Sequence, residues 1–399
     1  TVGHKNCRSS AALCWEPTKI VFRKKAGSEE PGRQKAMPQI PKPFIVPVFL
    51  PHAGCPHRCV FCNQHAITGA TTLPTLSEFE SAINRFLGYA AGRPSQIQIA
   101  FYGGNFLGLA DTEAIALLEL AQHFVRDGRA DSIRFSTRPD TIDEHRLQLI
   151  SGYSVRTVEL GAQSMNDEVL ALTRRGHTTA HTVAATQHLL KRDYEIGLQM
   201  MVGLPGDTVK RSLDTARRMI DLRPRYVRIY PAVVLENSTM AKWYRQGGFA
   251  PWPLETCVSL VKEIYLLFKQ NNIAVIRMGL QAEEDLDSGK AALAGPYHPA
   301  FGHLVHSKIY LDAALAALKS SKCNKSRIRI YVHPHSISKM RGHMNQNISR
   351  LRSAFRAQKV QVIPDPSMAE DCLRLGETDN VCVNDYKSPE LNSITDHKR

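Results

Sequence analysis

Three cysteines fall within eight residues, Cys55-Pro56-His57-Arg58-Cys59-Val60-Phe61-Cys62. A loop that short can wrap three thiolates around one inorganic centre. Soft sulfur ligands select zinc or an iron–sulfur cluster. A structural zinc site takes four protein ligands, and His52, His57 and His65 are the neighbours that could complete one. Iron–sulfur clusters are ordinarily held by four cysteines. Three on a four-iron cluster leave one iron open to a reactant. The other six cysteines (Cys7, Cys14, Cys257, Cys323, Cys372, Cys382) are scattered. Nine cysteines is an odd number, and the basic start of the chain has no apolar run after it to read as a secretory signal. Both points argue against a disulfide framework.

The elements that must carry this loop repeat from Pro43 onward. Phe44–Leu50 is a short apolar run of the kind a buried parallel strand shows. Strands are expected at Gln96–Tyr102, Ser132–Thr137, Thr157–Gly161, Glu195–Val202, Tyr226–Tyr230 and Ala274–Met278. Helices are expected between them at Leu76–Leu87, Asp111–Asp127, Ile142–Ile150, Asp167–Leu172, Thr178–Lys191, Thr208–Leu222 and Leu254–Gln270. Asp111 is placed as the N-cap of its helix. Alternation of this kind implies an α/β fold, a partial (β/α) TIM-like barrel over residues 43–283. In such barrels the chemistry sits on the loops at the C-terminal ends of the strands. The cysteine loop, Tyr102-Gly103-Gly104-Asn105, Arg138-Pro139-Asp140 and Gly203-Leu204-Pro205-Gly206 all occupy that position.

The chain carries 51 Lys+Arg against 37 Asp+Glu, a net charge of +14. The charge lies in two blocks, at residues 1–43 and at Lys319–Val360, where eleven basic residues meet no acid. A basic block suggests a polyanionic partner, although charge alone says nothing of fold. Residues 1–42 read as a basic arm without sustained periodicity. Residues 284–365 read as a small basic α/β module and residues 366–399 as a polar tail. No stretch of about 18 apolar residues exists to cross a membrane, so a cytoplasmic protein without a membrane partner is expected.

The Cys-x3-Cys-x2-Cys spacing, with Phe61 before the last cysteine and a first barrel strand before the loop, resembles the radical S-adenosylmethionine (SAM) enzymes. The resemblance implies that Cys55, Cys59 and Cys62 hold a [4Fe-4S] cluster whose open iron binds SAM. It also implies that an electron, typically from ferredoxin or flavodoxin, cleaves SAM to begin radical chemistry. Gly103-Gly104 resembles the motif whose backbone meets the methionine amino group; Asn105 stands where an acid is common. The resemblance extends to the oxygen-independent coproporphyrinogen oxidases. Their SAM-contacting positions fall on Phe49, Ser136, Gln163, Arg175 and Gln199 here, with Ser136 and Gln199 replacing acids.

A closer resemblance covers most of residues 43–310. Pro51-His-Ala-Gly-Cys-Pro-His57, Ser136-Thr-Arg-Pro-Asp140, Arg175-Gly-His-Thr178, Val227-Arg-Ile-Tyr-Pro231 and Gly295-Pro-Tyr-His-Pro-Ala-Phe301 look like the catalytic subunit of Elongator and its bacterial relatives. Elongator modifies wobble uridines in tRNA, using a radical SAM domain followed by an acetyltransferase domain. Only about 90 residues follow Lys308, so the match expected is to the shorter relatives that lack that second domain.

In the basic module, the pattern is strand (Ile328–Val332), helix (Ile337–Arg341), turn (Gly342–Asn345), helix (Ile348–Ala357) and strand (Val360–Ile363). A KH domain clamps a nucleic-acid backbone with a Gly-x-x-Gly turn in this setting. Asn345 stands at the second glycine and tolerates left-handed backbone. Lys339, Arg341, Gly342, Asn345, Arg350 and Arg352 are the expected RNA-binding residues. The combined expectation is radical SAM chemistry on an RNA base, with tRNA as the partner. Two alternatives remain open: radical SAM chemistry on a small molecule such as a tetrapyrrole, and a zinc-stabilised RNA-binding protein without catalysis.

Overall fold

A computed structural model describes residues 43–50, 53–62, 74–90, 92, 96–281, 286, 290–321, 325–376 and 380–385. The basic arm at 1–42, His52, His65, Cys7, Cys14 and Cys323 lie outside the described residues.

Seven parallel strands form the main sheet: β1 (Phe44–Phe49), β2 (Ile97–Tyr102), β3 (Ser132–Thr137), β4 (Val155–Gln163), β5 (Glu195–Val202), β6 (Tyr226–Pro231) and β8 (Ala274–Met278). They pair in chain order, each with the next, as expected of a partial barrel built from right-handed crossovers. The helices between them are α1 (Leu76–Gly88), α2 (Asp111–Arg126), α3 (Glu144–Ser151), α4 (Asp167–Leu172), α5 (Thr179–Leu190), α6 (Val209–Asp221), α7 (Thr239–Arg245) and α8 (Leu254–Gln270). Thr75 and Glu78 close a capping box on α1, and Thr208 accepts from the Arg211 N–H to start α6. Asp111 is not the cap of α2. Ala110 holds that place and Asp111 is the first helical residue; its carboxylate bonds His145 and Arg146 of α3 instead.

Side chains alternate across each strand. One face of the sheet is apolar: Phe101 and Phe135 stack with Phe106, and Val158, Leu198 and Ile229 are fully buried. The other face carries Gln98, Tyr102, Ser132, Arg134, Thr157, Glu159, Tyr226 and Arg228, linked by hydrogen bonds from strand to strand.

Past β6 the chain forms β7 (Val234–Leu235), which pairs antiparallel with β9 (Ala292–Ala294), a short ribbon with no clear sequence period. Next comes α9 (Phe301–Ser320), then β10 (Arg327–Val332), α10 (Ile337–Arg341), α11 (Gln346–Phe355) and β11 (Lys359–Pro364). β10 and β11 pair in parallel. The chain does not fray at 366. Residues Cys372–Leu375 form β12, antiparallel to β10, and Val381–Cys382 form β13 beside it. Cys372, Leu373 and Leu375 are buried there, an apolar alternation hidden by the polar residues around it. Cys257 is core in α8, as its helical spacing suggests.

One hydrophobic cluster runs through the barrel strands, α8, α9 and the C-terminal sheet, from Val46 through Phe268 and Ile309 to Ile330, Leu351 and Leu373. His306 of α9 sits in this seam, edge-on to the Tyr265 ring of α8 at 5.1 Å. Burial first, then the Lys339 charge, pushes its pKa down to about 4. The fold therefore prefers the neutral ring, while the unfolded chain takes up a proton near pH 6.5. Stability from this group is complete above pH 6.5 and is lost as pH falls toward 4. His306→Gln should flatten that loss by on the order of 1 kcal/mol, read from urea unfolding at pH 7 and pH 5; unchanged slopes would show the ring to be solvated.

Candidate active site at the strand ends

The cysteine loop leaves the C-terminal end of β1 and is tied down on both sides. Asn105, just past the Gly103-Gly104 pair at the end of β2, is fully buried. Its N–H donates to the Ala53 carbonyl at 2.8 Å, and its side-chain Nδ2 donates to the Gly54 carbonyl at 2.8 Å. Its Oδ1 accepts from Thr137 Oγ1, the Arg138 N–H and Thr141 Oγ1. One amide thus joins the cysteine loop to the loop after β3. An acid at this position could accept the second set of bonds but could not donate to Gly54, which gives a physical reason for Asn105 in place of the common acid.

The far side of the loop is held by Val60. Its N–H donates to the Thr173 carbonyl at 3.1 Å, and its carbonyl accepts from the Met240 N–H at the start of α7. Phe61 wedges between two small apolar clusters. One contains Val169, Leu204 and Ala232; the other contains Val234, Met240 and Ala241 and reaches Leu293 and Ala294 of β9. His57 lies over Gly176.

Of the three sulfurs, Cys59 is buried, Cys62 half-buried and Cys55 exposed. Arg175 Nη1 donates to Cys59 Sγ at 3.1 Å, and Nη2 donates to the Gly161 carbonyl at 2.6 Å. Arg138 spans Asp140, at 2.9 Å from each carboxylate oxygen, and also donates to the Arg175 carbonyl. A positive charge is thereby built in beside a sulfur that a metal centre would hold as thiolate.

The other expected cofactor contacts stand at the same strand ends. Phe49 is 41 % exposed at the tip of β1. Ser136 and Gln199 are half-buried on β3 and β5. Gln163 follows a bulge in β4 and takes a left-handed backbone (φ 63°), a conformation uncommon outside glycine. Its Oε1 is buried without a hydrogen-bond partner, as is Arg175 Nε. Gly104 has a purpose of its own within the protein. A Cβ there would strike the backbone of Ala53 and Leu50, and one at Gly103 would meet the Phe49 ring at 2.6 Å. The two glycines let the start of the cysteine loop cross β2.

Three soft thiols, a guanidinium on one of them, and two buried polar atoms without protein partners fit a thiolate-bound cluster with a polar ligand beside it. Among the described residues, the group whose metal-ligating atoms converge within 4.8 Å is His333, His335 and Glu370 on the C-terminal module; the three cysteines are not such a group.

Sequence reasoning missed the charged network beneath this rim. Glu159 Oε1 accepts from Tyr226 Oη at 2.9 Å, Arg228 Nη2 at 3.0 Å and Arg134 Nη1 at 3.3 Å. The signal was the period-two polarity of strands such as Ser132-Ile-Arg-Phe-Ser136 and Tyr226-Val-Arg-Ile-Tyr230.

The expected RNA-binding residues cluster on and around one turn. Gly342 (φ 74°), Met344 (φ 50°) and Asn345 (φ 61°) are left-handed, and Met344 is 83 % exposed. Asn347 Nδ2 donates to the Ser307 carbonyl of α9 and to the Lys339 carbonyl, fixing the turn. Arg341 and Arg352 are exposed and Lys339 half-buried. Arg350 differs from the rest, since it pairs with Glu255 of α8 at 3.2 Å. The His343 ring stands against His298 at 5.3 Å, and His298 lies just after β9. The turn and the cysteine loop therefore belong to one connected rim, through β9, β7 and α7.

Residues 49–219 match the family model described as the radical SAM superfamily, and residues 224–310 match the one described as the Radical_SAM C-terminal domain. Over 252 residues the chain is 25% identical to a tRNA uridine(34) acetyltransferase of Dehalococcoides mccartyi, covering 53% of this chain and 54% of that protein. A Methanocaldococcus infernus protein of the same name is 25% identical over 268 residues, covering 57% and 50%. The chain spans about half the length of these two relatives. Among solved structures, the archaeal Methanocaldococcus infernus Elp3 superposes with a TM-score of 0.54 at 18% identity, over 73% of this chain and 66% of that one, a likeness of fold.

Asn105→Asp keeps the shape of the side chain but turns a donor at Gly54 into an acceptor. A buried bond broken this way costs about 1–3 kcal/mol. The variant should melt lower and retain less iron after anaerobic reconstitution than wild type; wild-type iron content would mean that the amide does not position the loop.

Proposed function

We propose that this chain, a radical SAM protein resembling the catalytic subunit of Elongator, acts on a base of RNA, with tRNA as the substrate class. In this reading Cys55, Cys59 and Cys62 hold a [4Fe-4S] cluster. Phe49, Phe61, Gly103, Gly104, Ser136, Gln163, Arg175 and Gln199 surround SAM. When bound, the cluster and SAM together supply one-electron cleavage and hydrogen-atom abstraction.

The protein's share is holding and shielding. Arg175 sets a guanidinium against Cys59 and offers an unpaired Nε at the rim. Gln163 offers a buried acceptor, Oε1, whose left-handed backbone is fixed by the bulge in β4. Phe61 seals the inner side of the loop against water through its apolar neighbours. His177, under the rim, is kept neutral: burial first, then Arg175, pushes its pKa down to about 3.

The observation that carries the RNA reading is the connected rim. A left-handed, exposed turn flanked by Lys339, Arg341 and Arg352 is linked to the cysteine loop by contacts through His298, β9, β7 and α7. A phosphate backbone held there would bring a base toward the strand ends. The names of the curated relatives support tRNA over other RNAs. An electron donor such as ferredoxin or flavodoxin completes the scheme.

Anaerobically reconstituted protein should release 5′-deoxyadenosine on reduction with SAM, and Cys59→Ala should abolish that release. Retained release in the variant would remove the cluster assignment. Bulk tRNA should bind with an affinity that falls steeply with salt. The double change Lys339→Gln with Arg352→Gln should weaken binding and reduce the slope of log K against log salt by about 1 to 2. An unchanged slope would move the RNA surface away from the turn.

A further inference from the structure

We infer that the polar face of the barrel contains a seat for an oxyanion, a carboxylate or phosphate group, formed by the Arg228 guanidinium one layer below the rim. This rests on the reading of that face as the reaction chamber of the proposed enzyme.

The argument is one of charge and geometry. Arg134 and Arg228 share a single carboxylate oxygen, Glu159 Oε1, at 3.3 and 3.0 Å. Among the described residues, two guanidinium groups against one carboxylate leave one positive charge in this cluster. The neighbouring phenols do not offset it. Burial first, and then Glu159, holds both Tyr102 and Tyr226 above their ordinary range, so both stay neutral. Each guanidinium lies over a ring, Arg134 over Tyr226 and Arg228 over Tyr102, both at 5.2 Å. The Nε atoms of both arginines are buried and without partners. A buried charge without a counterion is strongly unfavourable, whereas a paired and hydrogen-bonded one is tolerated.

The two arginines are not equivalent. Arg134 is closed in, with a side chain 7 % exposed, while that of Arg228 is 17 % exposed. Arg228 pairs in strand register with Gln199, an expected cofactor contact. Its Nη1 extends toward Tyr230 Oη at 3.5 Å, the next residue on that face toward the strand's C-terminal end. The open side of the surplus charge thus faces the rim where a substrate would enter. Nη2 is already committed to Glu159 and Tyr102, so Nη1 is the donor left to make a charge-assisted bond to an anionic group of the substrate, which would complete the network.

The test uses anaerobically reconstituted holoenzyme. Thermal unfolding is followed against acetate and, separately, inorganic phosphate, at constant ionic strength made up with chloride. Wild type should melt progressively higher with at least one of the two anions, to saturation. Acetate alone acting would assign a carboxylate, and phosphate alone a phosphate ester. Arg228→Gln should weaken the response about tenfold or more, as loss of a charge-assisted pair does, and should melt no lower than wild type without anion because the network is then neutral. Arg228→Lys, which keeps the charge but cannot hold Glu159 and Tyr102 and reach an anion at once, should fall between. Arg126→Gln, an exposed change on α2, should respond as wild type does. A wild type that responds to neither anion overturns the seat. So does an Arg228→Gln chain that keeps the full response, melts lower, or fails to fold, since the charge is then a structural strut. SAM cleavage by the same wild-type sample reports separately on the enzyme reading.

Discussion

Seven strands that all run the same way, each paired with its chain neighbour, leave no choice about which ends meet. Every loop that leaves a C-terminal strand end opens on one rim, and every second side chain turns toward one shared face. The rest of the molecule answers to that constraint. The apolar face takes the helices and fills with Phe101, Phe135, Leu198 and Ile229. The other face needs hydrogen-bonding partners strand by strand, and Glu159 gathers them from β3 and β6 at one oxygen. The rim then has to be held in place, because loops alone do not keep a shape. Asn105 and Val60 do this with backbone-directed bonds on either side of the cysteine loop.

Much of this was legible in the residues, and the reasons differ by element. Strands and helices of the barrel announce themselves because their apolar positions recur at period two or 3.6 and the crossovers are short. The cysteine loop is legible because thiol spacing is a local property. The small β7–β9 ribbon was not, since Val234–Leu235 and Ala292–Ala294 are too short to show a period and find each other across 56 intervening positions. β12 was not, because four residues in a polar stretch look like coil until β10 offers an edge to pair with. Asn105 reads as a departure from a motif when seen alone; its two directions of hydrogen bonding appear only when Gly54 and Thr137 are brought to it by the fold.

Charge tells a similar story at larger scale. The basic block between Lys319 and Val360 is uniform in sequence, but the fold uses its members differently. Arg350 reaches back to Glu255 on α8, while Arg341 and Arg352 remain at the surface. An exposed pair such as Arg350 with Glu255 contributes little stability. A second surplus lies inside the sheet, in the two arginines and one carboxylate, where water screens charge less than at the surface.

The hydrophobic cluster that passes without a break from Val46 to Leu373 has a mechanical meaning. Two bodies joined by a linker search for one another's ligands, and their separation is a statistical quantity. Here the described residues join the barrel and the basic turn through one packed core, and Asn347 fastens that turn to α9 as well. The span from the turn to the cysteine loop is then set by packing. If RNA is held at the turn as proposed, the same unit would reach the strand ends each time, and length would select among positions before any base is read.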